Sequence, residues 1–296
     1  MDIVLGVVLP ALVAYVMTVV GLELAPADFV RVRRCPGAIG IALAGQAIVL
    51  PLLAVSIVRL LALPPIPACG VVIISAAPIA ALSNYYALLA RADVALAVTL
   101  TAVSSVLAVA TMPLVVLVAF KALGLDAAGF ETPLSRMLSQ TIVGLLLPIV
   151  LGMTIRRLAP SGVDRWRARL QLLALVALAA IIAFVLIDQA EGVRRQWPTL
   201  LACALCYTAG ALGVGLLVSR FVVSHRGARL ALLVGFPARN VAIATLIAVA
   251  MQGRADVAAF GAVFFLVQVL LLVPFARCLA ARAGVARPDR KPAAMR

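Results

Sequence analysis

Nine long apolar runs follow one another along this chain, and they constrain it more than any other feature. They cover residues 3–22, 37–62, 66–90, 93–123, 137–158, 169–190, 197–222, 227–252 and 255–282. About 20 mostly apolar residues form a helix long enough to cross the ~30 Å hydrocarbon core of a bilayer. In lipid each backbone N–H and C=O must find a partner within the protein, and no run alternates with period two. Helices rather than a β-barrel are therefore expected. Composition leaves no other solvent for these runs: 65% of the 296 residues are hydrophobic and 12% are charged. A water-soluble globule would lack the polar surface to cover such a core. The expected fold class is an all-α polytopic membrane protein with about nine transmembrane helices.

The formal net charge is +14, from 25 Lys and Arg against 11 Asp and Glu. Threading the runs back and forth places 18 of the 25 basic residues on one side, among them Arg31, Arg33, Arg34, Arg156, Arg157, Arg165, Arg167 and Arg169. Six fall on the other side, and Arg239 lies inside a run. The positive-inside rule then puts the N-terminus outside and the C-terminus in the cytoplasm, in a plasma or bacterial inner membrane. The basic loops suit an anionic leaflet, and no nucleic-acid partner is expected. The first run begins at Ile3 with no basic residue before it, so no cleavable signal is expected. Cys35, Cys69, Cys203, Cys206 and Cys278 are odd in number and lie mostly in apolar runs. They read as small buried core residues rather than a disulfide framework or a metal site. No catalytic motif is present, and the chain is not expected to be an enzyme.

The pentamer Arg91-Ala92-Asp93-Val94-Ala95 recurs as Arg254-Ala255-Asp256-Val257-Ala258. Each copy follows a run interrupted by proline and then asparagine, Pro78 with Asn84 and Pro237 with Asn240, and each leads into another long run. The two copies fall on opposite sides of the membrane, which is the pattern of an inverted repeat. Residues 1–123 form the expected first repeat and 124–282 the second, and 283–296 form a basic cytoplasmic tail. Paired helix breaks in two halves point to a transporter site near the midplane, because proline frees backbone groups that an ion or substrate can satisfy. Arg239 accompanies the second break. A guanidinium in hydrocarbon costs at least ~2.5–3.5 kcal/mol. It must pair with a backbone carbonyl or an acid, reach the membrane surface, or serve a ligand. Gln46, Thr101, Gln140, Gln171, Thr245 and Gln268 lie mid-run and read individually as interhelical glue. Gly210, Gly213 and Gly215 suggest close packing of the seventh helix.

Three segments carry a resemblance: Gly21-Leu22-Glu23-Leu24-Ala25-Pro26-Ala27-Asp28-Phe29; Gly45-Gln46 through Leu53-Ala54; and Ser83-Asn84 followed by Leu89-Ala90-Arg91-Ala92-Asp93-Val94-Ala95-Leu96. On these the chain resembles the bile acid:sodium symporter family over nearly its whole length. The resemblance implies ten helices in inverted repeats, or nine where the first is absent, with core and panel domains and two broken helices that cross. It also implies transport of organic anions coupled to two sodium ions. The family's sodium ligands are matched by Ser83, Asn84, Gln46 and Thr101. Its serine one turn before the threonine is Ala97, its glutamate at the second break is Gly235, and its following glutamine is Arg239, with Asn240 retained. Losing a carboxylate and gaining a fixed cation opposes sodium. At ~5 Å, two unit charges repel by ~3 kcal/mol at an effective dielectric of 20, roughly a hundredfold in affinity.

The expected function is alternating-access transport of a small, bile-acid- or carboxylate-like organic anion. Ser83, Asn84, Arg239 and Asn240 would form the crossing-point site, lined by Gln46, Thr101 and Gln268, with Pro78 and Pro237 marking the breaks. A residual sodium site would lie at Ser83, Asn84 and Thr101. No transition metal or organic cofactor is implied. The partners are the bilayer and the anion, and oligomeric state is left open. The alternatives are an auxin-efflux or arsenite-type carrier of the same fold, or a membrane sensor that does not transport.

Overall fold

A computed structural model describes residues 7–24, 36–126, 134–222, 225–252 and 255–284. Cys35, Arg31, Arg33, Arg34, Arg254, the Ala25–Phe29 part of the first motif and residues 285–296 of the tail lie outside the described residues. The protein is an all-α polytopic membrane protein. In chain order its helices are α1 (Leu9–Glu23), α2 (Pro36–Ala44), α3 (Leu50–Leu60), α4 (Pro65–Ala76), α5 (Leu82–Leu89), α6 (Val94–Leu123), α7 (Leu134–Thr141), α8 (Leu147–Leu158), α9 (Pro160–Asp188), α10 (Ala190–Val222), α11 (Arg226–Gly235), α12 (Val241–Gln252) and α13 (Ala255–Gly284). Widened π-type turns, Gly45–Val49 and Ile142–Leu146, join α2 to α3 and α7 to α8 without a loop. Among the described residues, six helical stretches are long and apolar enough to cross a membrane.

Both π-type turns precede a Leu-Pro pair, Leu50-Pro51 and Leu147-Pro148. Proline lacks an N–H and clashes with the carbonyl four residues before it. Widening the turn relieves that clash, and the Leu50 and Leu147 amides donate to the Gly45 and Ile142 carbonyls instead.

The expected runs and the helices agree closely, with one consistent difference. Helices α9 and α10 begin at Pro160 and Ala190, earlier than the runs at 169 and 197. These first turns contain arginines and an acid that suit water rather than lipid, so hydropathy does not see them. Asp93 caps α6 by accepting from the Leu96 amide at 2.9 Å, and Asp256 accepts from the Val257 amide at the start of α13. Each copy of the pentamer thus opens a helix of 30 residues.

Lipid tails are as apolar as leucine, so hydrophobic burial does not bring membrane helices together; close packing does. A Cβ at Gly21 would overlap the Ile149 carbonyl, and one at Gly152 the Thr18 carbonyl, so α1 and α8 touch backbone to backbone. Gly210 admits the Leu53 side chain, and Gly215 lies against the Leu232–Leu233 backbone, whereas Gly213 faces open space and is not a packing residue. The cysteine expectation is corrected in part: Cys69 and Cys203 are buried, but Cys206 and Cys278 are exposed, on the outer faces of α10 and α13.

Candidate functional site

The two interrupted runs are broken, and the breaks lie against each other. Helix α4 stops at Ala76 and α5 resumes at Leu82; α11 stops at Gly235 and α12 resumes at Val241. The Ala80 amide donates to the Ala238 carbonyl at 2.9 Å, and the Asn240 amide to the Pro78 carbonyl at 2.9 Å. Ile79 and Arg239 form an isolated antiparallel bridge. Each break thus satisfies backbone groups freed in the other, which is what allows non-helical backbone inside a bundle. Proline alone does not break these helices, since Pro113, Pro198 and Pro274 sit inside continuous ones.

Arg239 is 1% exposed and is the one charged residue among the buried polar side chains described. Its guanidinium donates from Nη2 to the Ser75 carbonyl at 2.8 Å and to the Ala77 carbonyl, and from Nε to the Ile74 carbonyl at 3.4 Å. These carbonyls lie at the C-terminal end of α4, where the helix dipole favours a cation; that of Ile74 also accepts from the Ala77 amide. Of the readings open for Arg239, the geometry contains pairing with backbone carbonyls, and no acid pairs with it among the described residues. Its Nη1 is buried with no hydrogen-bond partner. The Tyr207 hydroxyl, also buried and unpartnered, lies within electrostatic reach of the guanidinium.

The other expected site residues divide into groups. Gln268 accepts from the Arg239 amide at 3.0 Å and faces the Tyr86 hydroxyl at 3.5 Å, so α13 props the second break. Asn240 caps α12 through the Ile243 amide, and its Nδ2 approaches the Met17 sulfur. Ser83 Oγ and Asn84 Oδ1 each lie 3.3 Å from Thr101 Oγ1, which brings three neutral oxygens together beside the first break. Gln46 joins none of these by a hydrogen bond. It sits on the first π-type turn with its side-chain oxygen buried and unpartnered, and neighbouring Gly45 packs against the Phe236 ring at the second break. Gly235, where the resemblance expects a glutamate, has nothing within 4 Å of the position a Cβ would take.

Two neighbouring hollows, which share Val16, Val20, Ala81, Leu82 and Leu178 as walls, lie at this crossing. A cavity of about 70 Å³ is walled by Ala80, Ala81 and Leu82 on one break and by Arg239, Asn240 and Val241 on the other. These are the first turns of α5 and α12, whose dipoles favour an anion, while the Ser83, Asn84 and Ile243 amides already donate within the chain. A crevice of about 490 Å³ continues from Ala81 and Leu82 between α1, α5, α6 and α9. That is within the range of small-molecule sites. Asn84 and Tyr85 line it midway, apolar residues of α1 and α9 form its walls, and Glu23, Arg167 and Gln171 stand at its end. Gln171 Nε2 donates to Glu23 Oε1. Sequence reasoning passed over Glu23 and Tyr207 and read Gln171 as glue. Glu23 lay in view inside the first motif, as a carboxylate at the end of an apolar run.

The sequence profile described as the Sodium Bile acid symporter family matches residues 10–196. A rice protein (Oryza sativa subsp. japonica) named "Probable sodium/metabolite cotransporter BASS2, chloroplastic" is 25% identical over 70% of this chain and 48% of its own length. A Bacillus subtilis (strain 168) protein named "Uncharacterized sodium-dependent transporter YocS" is 24% identical over 72% of this chain and 59% of its own. The chain thus spans about half to three-fifths of the curated relatives it matches. With the profile covering more than half of its residues, the chain belongs to the sodium bile acid symporter family.

Proposed function

We propose that this protein is a secondary carrier of small organic anions, working by alternating access through the crevice, with Arg239 standing where one sodium ion binds in its relatives. The observation that carries the reading is the cavity at the crossing. It is bounded by two helix N-termini and by a buried guanidinium, and the buried side chains described include no carboxylate to neutralise them. A ligand's anionic group is the missing counter-charge. The relatives' names, a sodium/metabolite cotransporter and a sodium-dependent transporter, support transport as the activity. The guanidinium supports the substitution for sodium, since it holds the α4 carbonyls as a bound cation would. The oxygens of Ser83, Asn84 and Thr101 would retain a weak sodium site, because neutral oxygens offset a hard cation's dehydration poorly without a carboxylate. The inverted repeats, and a core domain moving against a panel that contains α1, α8 and α9, belong to the same proposal.

Uptake of a carboxylate panel into proteoliposomes, in sodium and in choline, tests this. Flux without a sodium requirement is expected. The double variant Gly235→Glu with Arg239→Gln, for which there is room at Gly235, should turn that flux sodium-dependent. A sodium requirement in the wild type would sink the tethered-cation part of the proposal. Absence of both binding and flux for every carboxylate would sink the anion carrier.

A further inference from the structure

The crevice carries charges of both signs in a fixed order, and this narrows the substrate class of the carrier proposed above, on which the inference rests. At its floor are Arg239 and the first turns of α5 and α12, all favouring negative charge. At its far end stands Glu23, and no other Asp or Glu lines either the crevice or the cavity. Between floor and rim the walls are mostly aliphatic, from Val16, Val19, Val20, Leu82, Leu175 and Leu178, with Asn84 and Tyr85 the polar side chains among them. The surfaces thus run from the cationic crossing, through a mostly apolar stretch, to a rim where the carboxylate of Glu23 stands beside the guanidinium of Arg167.

Among the described residues, nothing calls for a carboxylate at Glu23. It is the last residue of α1, where the helix dipole disfavours negative charge. Its protein partner is the neutral carboxamide of Gln171, which donates to Oε1. It forms no ion pair among the described residues, where the pairs are Arg156 with Asp164 and Arg195 with Glu191. Arg167 lies one turn before Gln171 and also lines the crevice without pairing to Glu23. An exposed arginine there suits attraction of anions from solution. A half-buried carboxylate beside the path of an anion repels it, unless the ligand presents a cation or strong donor at that end.

We infer that the carrier's substrates are amphoteric: a carboxylate or similar anion seated at the crossing, an aliphatic middle, and an amine or comparable cationic donor held by Glu23. Direct binding to the purified full-length protein tests this, using hexanoate, hexylamine and the ω-amino acids 4-aminobutanoate, 6-aminohexanoate and 8-aminooctanoate. The best ω-amino acid should bind roughly tenfold more tightly than hexanoate, the order of one partly desolvated ion pair. Glu23→Gln should erase that preference and leave hexanoate binding equal or tighter. Glu23→Asp, which keeps the charge, should retain the preference and controls for folding. Arg167→Gln should weaken both carboxylate classes alike. The inference is overturned where hexanoate matches every ω-amino acid in the wild type, or where the preference survives Glu23→Gln. Both outcomes leave the anion carrier standing. Failure of all carboxylates, or tightest binding of hexylamine, overturns the inference together with the anion-carrier reading itself.

Discussion

At the scale of single residues, Arg239 has two tasks that pull on the same group. Its guanidinium closes the end of α4 by donating to the Ile74, Ser75 and Ala77 carbonyls, while Nη1 and the positive charge stay uncompensated beside a cavity. A hydrogen bond to a charged group contributes ~1.5–3 kcal/mol, and a carbonyl left bare when it is removed costs ~1–3 kcal/mol. Arg239→Ala should therefore destabilise the protein by about 3–5 kcal/mol, the range for breaking a buried charged network. Thermal denaturation of the purified variant checks this. It should also make stability more cation-dependent, with sodium or potassium chloride raising the variant's midpoint by more than the wild type's. Arg239→Lys keeps the charge but lacks the planar fork that reaches Ile74 from Nε and Ser75 and Ala77 from Nη2, and should fall between the two. The break residues were legible because proline, arginine and asparagine stand out in an apolar run. Glu23 was not, because a carboxylate at the end of such a run looks like any residue meeting water. The carbonyl partners of Arg239 were beyond reach for another reason, since backbone groups carry no sequence signature.

At the scale of helices, what decides whether a proline breaks a span is whether the freed groups have partners across the bundle. Pro78 lies in a segment held by the Ala80–Ala238 and Asn240–Pro78 backbone bonds, and Pro113 in a helix that runs on. Pro78→Ala should therefore leave the break in place, changing stability by less than about 1 kcal/mol. A thermal scan with retained ligand binding checks this. The α1–α8 contact makes the opposite prediction. Gly152→Ala places a methyl group against the Thr18 carbonyl, and should cost about 2 kcal/mol or more as two backbones are forced apart. Gly21→Ala should do the same at Ile149. The helical, apolar character of the runs was legible, since lipid imposes an apolar composition on each; among the described residues six stretches also have the length to cross, against the nine runs expected. The water-exposed first turns of α9 and α10 were not, because there neither constraint applies.

At the scale of the whole molecule, the crevice reaches from the crossing toward one side only, the side that carries Arg167 and Gln171. The distribution of basic residues leads us to propose that this side is cytoplasmic. In a variant freed of native cysteines, Ala174→Cys should react with a membrane-impermeant thiol reagent in inside-out vesicles and be protected in right-side-out ones. Equal labelling from both sides would contradict a one-sided opening. Carriers of this family match an ion's journey to that of their cargo, and a guanidinium held by a peptide chain makes no journey. A sodium ion crossing at 100 mV brings ~2.3 kcal/mol of electrical work to the cycle, roughly a fiftyfold accumulation of cargo. If Arg239 holds one ion's place, that work is absent from every turnover. The protein would then lower the barrier to its substrate's passage while giving up a share of the gradient it could be driven by. It would suit cells in which the substrate runs downhill, or in which metabolism removes it on arrival.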